Sequence, residues 1–493
     1  MSQTLEELWK SMEGAEPVVN RRQFVKGGST VAASAAIAAM STQANAAVSF
    51  SDDYGPLVLK PDLSTGLPLI ALPEGFSYAS YGWTGQIQTD HQPTPTDHDG
   101  MAVVAARGDR IVMVRNHELS LGESQPSSPA NNPKGTYNPA QFGGCSNLMF
   151  NTRKGKWLAS WNSQGGTIRN CTGGPTPWGT WITCEETFHG WNQPPSGQET
   201  FTGFNHGYAF EVPGFGKTRA KPIRGMGRFV HEACAVDPST GIIYQTEDAR
   251  PSAFYKYEPN GPYGKLRPGR IDGRLFAMVL DGVSRLDTSM GGAPVGTTWH
   301  VTWQEITDPD AKVARCFDQA PDAATISRGE GCWEDQGKIY FVSTDGGVAG
   351  LGQIFCYDPR HETCTLLFES TDAMNVDGPD NIAVSPRGSI LMCEDGDSNP
   401  KRLVGLTADG KTFPFAENRI ELGPDELSQI DSIFPGTEEY FWDSVTNSDG
   451  TFPRSFTSRE WAGATFYGRW LFVNIQSPGV TFAITGPWEK GSL

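Results

Sequence analysis

An internal repeat of acid, apolar strand, turn, apolar strand and acid recurs along this chain. In its clearest copy, residues 227–248, Glu232 precedes the apolar run ACAV, the turn DPSTG follows, and the run IIYQT ends on Glu247 and Asp248. Asp, Pro, Ser and Gly favour a tight turn, so the segment predicts a β-hairpin. In an antiparallel hairpin the residue that enters the first strand lies beside the residue that leaves the second. The hairpin therefore carries its acids at one end.

The same order recurs in four further segments and one fragment. Their entry and exit residues are Asp99 with Glu118, Glu334 with Asp345, Asp380 with Glu394 and Asp395, Glu460 with Asn474 and Gln476, and the exit pair Glu185 and Glu186. Repeats of this kind in a β-rich chain indicate a radial arrangement, in which the first strand of each hairpin lines a central axis. The sequence predicts an all-β fold, a six-bladed β-propeller with irregular insertions, and a ring of carboxylates at one mouth of its channel.

Composition and charge support this fold and argue against one class of partner. The 493 residues include 57 Gly, 35 Pro and 14 Trp, which fits many short strands joined by turns. A net charge of −17 argues against a nucleic-acid partner, since phosphate backbones require a basic surface. Carboxylates gathered at one end of a fold repel one another unless cations lie between them. The repeat therefore predicts bound metal ions.

Residues 1–46 have the pattern of an export signal. Arg21 and Arg22, followed by Phe24 and Lys26, precede a run rich in Ala, Ser and Thr that ends in an A-x-A sequence at 44–46. This pattern resembles a twin-arginine signal, which is read by an export machinery that moves folded proteins. We expect residues 47–493 to form a single propeller domain that is periplasmic or secreted, monomeric and not inserted in a membrane.

One cysteine stands where the other hairpins carry an acid. Cys145, in the segment GGCSN, comes immediately before an apolar strand. A thiolate there would be a soft ligand among hard ones, which suits iron better than calcium. A buried structural cysteine is the alternative interpretation.

The segments GGCSN, NCTGGPTPWGTWITCEE, GRFVHEACAVDPSTGIIYQTED and PDNIAVSPRG together resemble the PhoX family of bacterial alkaline phosphatases. The resemblance implies an exported six-bladed propeller that hydrolyses phosphate monoesters with iron and calcium, held by carboxylates and one bridging cysteine. It implies Cys145 as the bridging ligand. The carboxylate ligands that it implies are Glu118, Glu185, Glu186, Glu232, Glu247, Asp380 and Glu394.

A phosphatase also needs a cation to hold the phosphate oxygens, and Arg228, four residues before Glu232, is the candidate. A packing arginine is the alternative there. Two other functions remain open: a calcium-dependent lactonase or ester hydrolase, and a periplasmic binding propeller in which calcium only holds the blades together. A thiolate ligand discriminates among them, because neither alternative needs one.

Overall fold

The computed structural model describes residues 4–18, 53–121, 135–189, 203–216, 218–439 and 454–493. Within these ranges the regular secondary structure is almost entirely antiparallel β-sheet, which confirms the predicted all-β class. No helix among the described residues is long and apolar enough to cross a membrane.

Two α-helices, three short 3-10 helices and twenty-nine strands make up the regular structure of the described residues. The helices are α1 (Leu5–Ser11) and α2 (Pro424–Ile433). The strands are β1 (Glu16–Pro17), β2 (Leu57–Pro61), β3 (Pro68–Pro73), β4 (Ser77–Tyr81), β5 (His98–Arg107), β6 (Arg110–His117), β7 (Gly143–Asn151), β8 (Lys156–Thr167), β9 (Asn170–Pro175), β10 (Thr180–Glu185), β11 (Ala209–Pro213), β12 (His231–Val236), β13 (Ile243–Glu247), β14 (Tyr255–Glu258), β15 (Arg274–Leu280), β16 (Thr298–Ile306), β17 (Gly329–Asp335), β18 (Lys338–Ser343), β19 (Gln353–Asp358), β20 (Thr363–Glu369), β21 (Pro379–Val384), β22 (Ile390–Glu394), β23 (Arg402–Leu406), β24 (Thr412–Asn418), β25 (Glu421–Leu422), β26 (Arg454–Ser455), β27 (Trp461–Tyr467), β28 (Trp470–Ile475) and β29 (Val480–Thr485).

Six hairpins share one arrangement at the centre of the fold: β5–β6, β9–β10, β12–β13, β17–β18, β21–β22 and β27–β28. Their first strands contact one another in the order β5, β9, β12, β17, β21, β27, and β27 contacts β5 again. The contacts therefore close a propeller-like ring. The remaining strands extend each hairpin outward, in sheets such as β5-β6-β7-β8 and β11-β10-β9.

One backbone hydrogen bond recurs at the open end of all six hairpins. In each, the N–H of the residue that leaves the second strand donates to the carbonyl of the residue that enters the first. The N···O distances are 2.8–3.2 Å, and the donor and acceptor pairs are Glu118 with Asp97, Glu186 with Arg169, Asp248 with Val230, Thr344 with Arg328, Asp395 with Gly378, and Gln476 with Glu460. This bond places each exit residue beside the residue that precedes the first strand. The predicted entry acids Asp99, Glu232 and Asp380 lie two residues further along, inside their strands.

Strands from both halves of the chain complete the outer sheets. Near the N-terminus, β4 pairs with β29 and completes the sheet of the last hairpin, while β3 pairs with β24 of the preceding sheet. The ring is therefore joined by hydrogen bonds between chain segments that are about 400 residues apart in sequence. Such closure leaves fewer open sheet edges.

Residues 4–18 pack against the first sheet, from its outer strand β8 to the free edge of its inner strand β5. Leu8 and Met12 are buried in the largest hydrophobic core, and Trp9 contacts Trp161 edge to face. β1 pairs with the end of β5 at Ala105 and Ala106. This short segment is therefore held by both apolar packing and strand pairing.

The remainder of the predicted export signal lies outside the described residues. Arg21, Arg22 and the expected boundary at residues 46 and 47 fall in the range 19–52, which the structure does not describe. The division into a signal at 1–46 and a single domain at 47–493 stays a prediction.

Glycines allow neighbouring inner strands to approach one another closely. A Cβ atom placed on Gly174 of β9 would lie 1.9 Å from the carbonyl oxygen of Cys234 on β12. One placed on Gly331 of β17 would lie 2.5 Å from the carbonyl oxygen of Asp380 on β21. Because real Cβ atoms do not come this close to backbone, a side chain at either position would push two inner strands apart.

We expect Gly331→Ala to lower the free energy of unfolding by about 3 kcal/mol, because the new methyl group overlaps the next inner strand. Gly337→Ala is the matched control, since that turn glycine has φ +78° and an added Cβ would meet nothing within 4 Å. Its backbone strain should cost about 1 kcal/mol. Guanidinium unfolding measures both. Equal losses would contradict close strand approach as the constraint.

Candidate metal centre

A β-bulge recurs near the start of the first strand in the central hairpins. In β5 the pairing skips two residues, Asp99 and Gly100, against a single residue of β6. The same skip begins at Cys171 in β9, Glu232 in β12, Glu330 in β17 and Asp380 in β21. A bulge bends its strand and re-aims a side chain. Five hairpins therefore present a potential ligand from the same local backbone geometry.

Nine side chains from six hairpins converge in four overlapping groups. Within each group, one ligand atom from every residue lies within 4.8 Å of the others. The groups are Cys171, Glu186 and Glu232; Glu232, Glu330 and Asp380; Asp380, Asp395 and Glu460; and Asp99, Glu118 and Glu460. Because successive groups share a member, the ligand atoms form one continuous series from Glu186 to Glu118. We call these nine residues the acid arc.

Among the residues that the structure describes, two arginines contact the acid arc. Arg169 lies with its Nη2 2.8 Å from Glu118 and also donates to Glu186. Arg328 donates through Nη2 to Glu330 at 2.7 Å, and through Nε and Nη2 to Asp248 at 2.8 and 3.1 Å. Two guanidinium groups offset only part of the charge that eight carboxylates would carry.

Burial and mutual repulsion raise the pKa values of the acid arc. Burial raises the pKa of Glu232 and that of Glu330 well above the usual glutamate value, and the nearby Asp380 raises both further. The pKa of Asp380 is raised to about 7, first by burial and then by Asp395. Burial also raises the pKa of the Cys171 thiol, and Glu232 adds to this shift.

The donor set fits multivalent cations. Several carboxylate oxygens within 4.8 Å of one another match the all-oxygen coordination that calcium takes, and the Cys171 thiol adds one soft donor. Buried carboxylates that share a site remain charged when a cation lies between them. A bound cation would therefore lower these pKa values, because it offsets both the cost of burying the charges and the repulsion between them.

Four of the predicted metal ligands belong to the acid arc: Glu118, Glu186, Glu232 and Asp380. Each was predicted from its place at a hairpin end. Asp99, Asp395 and Glu460, which the repeat also identified as hairpin-end acids, belong to the arc as well.

Three other predicted ligands have partners outside the acid arc. They stand at one equivalent position, the last residue of the second strand, and their partners are His206 for Glu185, Tyr255 and Arg315 for Glu247, and Arg402 for Glu394. Neighbouring side chains on a strand point to opposite faces. The residue that follows each of them therefore faces the arc or its rim, while these three acids face away from it.

Cys145 lies in β7, which is two strands outward from the inner strand β5 in its sheet. It is fully buried in the largest hydrophobic core, and its Sγ donates to the Asn116 Oδ1 at 3.2 Å. Burial raises the pKa of its thiol to about 12. It belongs to none of the four groups found among the described residues.

Arg228 is held away from solvent by other groups. Its Nε donates to the carbonyl of His206 and its Nη2 to that of His189, both at 2.9 Å. The guanidinium carbon lies 4.2 Å from the centre of the Phe188 ring, and the residue is 2% exposed. This environment matches the packing alternative for Arg228.

Two members of the acid arc, Cys171 and Glu330, were not predicted. For the fourth hairpin the repeat suggested Glu334, which lies at the turn end of β17 and accepts a hydrogen bond from Gly337. Each stands two residues after an arginine, but neither is followed by the apolar run that marked the other hairpins.

The raised pKa values predict that the metal-free protein loses stability as pH rises. The folded-state pKa values of Glu232, Glu330 and Asp380 lie above their unfolded-state values, so the folded state binds protons more tightly. Their contribution to stability is present below about pH 4. It is lost as pH rises through the folded-state pKa of Asp380, about 7.

We expect chelator-treated protein to unfold at a temperature about 5 °C lower at pH 8 than at pH 5. Differential scanning calorimetry measures this change. Calcium added at pH 8 should remove the difference. A metal-free midpoint that is constant or rises over this interval would contradict the assignment.

Comparisons with known proteins cover most of the chain. The family model for alkaline phosphatase PhoX matches residues 52–479. No curated protein matches the chain in sequence.

Several solved structures are distantly similar. They include a catalytically inactive virginiamycin B lyase from Staphylococcus aureus with quinupristin (12% identity, TM-score 0.36, 83% of this chain and 99% of that chain) and a gluconolactonase from Xanthomonas campestris (11%, 0.33, 90% and 98%). These TM-scores are too low to carry an argument. The family model, in contrast, spans nearly the whole described fold. The chain therefore belongs to the alkaline phosphatase PhoX family.

Proposed function

We propose that the protein hydrolyses phosphate monoesters with iron and calcium ions held by the acid arc, at one mouth of a six-bladed propeller. The observation that carries this proposal is the convergence of eight carboxylates and one thiol in groups that share members. Membership of the alkaline phosphatase PhoX family supports the same reaction. The substrate class that fits is a small phosphate ester.

Six blades are supported by the repeat of one backbone design. Six hairpins carry the same entry-to-exit hydrogen bond and the same two-against-one bulge. Their first strands contact one another in a closed cycle. Each hairpin would then be the inner half of one blade.

We propose Cys171, rather than Cys145, as the thiolate ligand. Cys171 shares a group with Glu186 and Glu232, whereas Cys145 donates to an amide in the hydrophobic core. A soft thiolate favours iron at this end of the arc, and the groups made only of carboxylates favour calcium. Burial and the nearby carboxylates raise the pKa of the Cys171 thiol, so its ionisation would accompany metal binding.

The shared members of the groups would set the spacing of the ions. Glu232, Asp380 and Glu460 each belong to two groups, so each carboxylate can serve two adjacent positions. When bound, the cations would supply Lewis acidity toward the phosphoryl oxygens and offset the charge that develops on them.

Arg328 is the arginine that we propose for contact with the phosphate group. Its side chain is 32% exposed while it donates to Glu330 of the acid arc, so one edge of the guanidinium is open to a ligand. Arginine holds phosphate oxygens through paired N–H donors. The predicted candidate, Arg228, has its donors engaged by backbone carbonyls.

We further propose that the protein is exported by the twin-arginine route, works in the periplasm or outside the cell, and is a monomer. The pattern of Arg21 and Arg22 before an Ala-rich run supports this localisation. A chain that acquires several metal ions benefits from folding before export.

We expect Cys171→Ser to remove most of the bound iron and to lower kcat/KM for p-nitrophenyl phosphate at alkaline pH by about 100-fold or more, because the soft ligand is lost. Elemental analysis and a colorimetric assay measure the two effects. Cys145→Ser is the matched control and should retain both iron and activity.

Iron retained in Cys171→Ser, or lost in Cys145→Ser, would remove Cys171 from the proposed centre. Calcium without iron in the unaltered protein, together with no hydrolysis, would favour a calcium-dependent lactonase or a non-catalytic binding propeller.

A further inference from the structure

The acid arc has one gap, and a side chain of the protein lies in it. Neighbouring groups connect Glu186 to Glu118 by way of Glu232, Asp380 and Glu460. The two end members share no group with each other among the described residues. Arg169 contacts both of them through the same nitrogen, Nη2. Its guanidinium therefore closes the arc into a ring.

The backbone holds Arg169 firmly in this place. Its N–H donates to the carbonyl of Leu119 at 2.9 Å, and its carbonyl accepts from the N–H of Glu186 at 2.8 Å. Its φ is 47°, in the left-handed region that favours glycine, and the equivalent residue of the β21–β22 hairpin is Gly378 with φ 60°. This backbone conformation favours glycine, so the presence of an arginine here must be explained by what its side chain contacts.

Charge explains what the side chain does. Glu118 and Glu186 are both largely buried, and each forms an ion pair with Arg169. Arginine remains protonated in proteins, so the guanidinium carries its positive charge in this position. A permanent cation thus lies between two carboxylates that would otherwise repel each other.

We propose that Arg169 is a built-in cation of the ring, occupying a position between Glu118 and Glu186 that would otherwise take one further calcium ion. The inference rests on the proposed metal centre, and it assigns Arg169 as a positioning residue that sets how many ions the centre holds. A guanidinium cannot leave with a chelator, so this position keeps the same charge whatever the supply of calcium.

The second arginine of the centre, Arg328, has the equivalent backbone position, with φ 46°, but makes different contacts. Arg328 pairs with one arc member, Glu330, and with Asp248, which belongs to none of the four groups. Removing Arg328 would therefore not open a cation position between the two end members of the arc. The prediction about ion number is therefore specific to Arg169.

The test is the number of calcium ions bound by the purified full chain and by Arg169→Gln, counted by elemental analysis and by isothermal titration of chelator-treated protein. We expect Arg169→Gln to bind one more calcium ion per chain with unchanged iron. Arg169→Lys should keep the original number, because it restores a cation between the glutamates. Arg153→Gln, which removes an exposed arginine paired with Asp109, is the matched control and should also keep it.

An unchanged or smaller calcium number in a folded Arg169→Gln protein would overturn the inference. Failure of that variant to fold even in excess calcium would also overturn it, since a calcium ion should replace the lost charge. Absence of bound calcium from the unaltered protein would instead contradict the proposed centre itself, so the two failures are distinguishable.

Discussion

Repulsion among closely spaced carboxylates is the constraint on which the centre of this protein depends. The groups of the acid arc come from six hairpins that are dispersed over about 360 residues of sequence, and no local interaction would bring them together. The rigid parts of the fold do so: the closed cycle of inner strands, the recurrent entry-to-exit hydrogen bond and the bulge. Outer strands pack behind them in hydrophobic cores, so folding stabilises a charge arrangement that is unfavourable by itself. Cations, including those of Arg169 and Arg328, offset that cost.

Much of this arrangement could be predicted because the repeat consists of residue types with strong local preferences for turns or for strands. Turn residues between β-rich runs identify hairpins, and hairpin geometry then fixes which acids are neighbours. Glu118, Glu232 and Asp380 were found in this way. The family resemblance, which rests on longer segments such as NCTGGPTPWGTWITCEE, is confirmed by the match over residues 52–479.

The sequence did not show which of two adjacent residues at a strand end faces the ring, because apolar runs do not fix the register of a strand to a single residue. At the end of the second strand the sequence offers two adjacent acids, as in Glu185 and Glu186 or Glu394 and Asp395, and only one of each pair faces the ring. The other is recognised by a partner on another strand, such as Arg402 for Glu394, and that partner cannot be read from local sequence. Cys145 precedes an apolar run, as the acids of the repeat do, whereas Cys171 is followed by the turn residues TGGP. Only the sheet order shows that the strand after Cys145 is an outer one.

The segment 4–18 covers part of the first sheet that would otherwise be exposed to solvent. β1 covers the end of β5, and the N–H of Val18 donates to the carbonyl of Val104 beyond that pairing. A chain from which these residues had been removed would present those backbone groups, with the apolar surface around Trp161, to its surroundings. Such a chain would be more prone to associate with other chains, because an uncovered strand edge can pair with another strand.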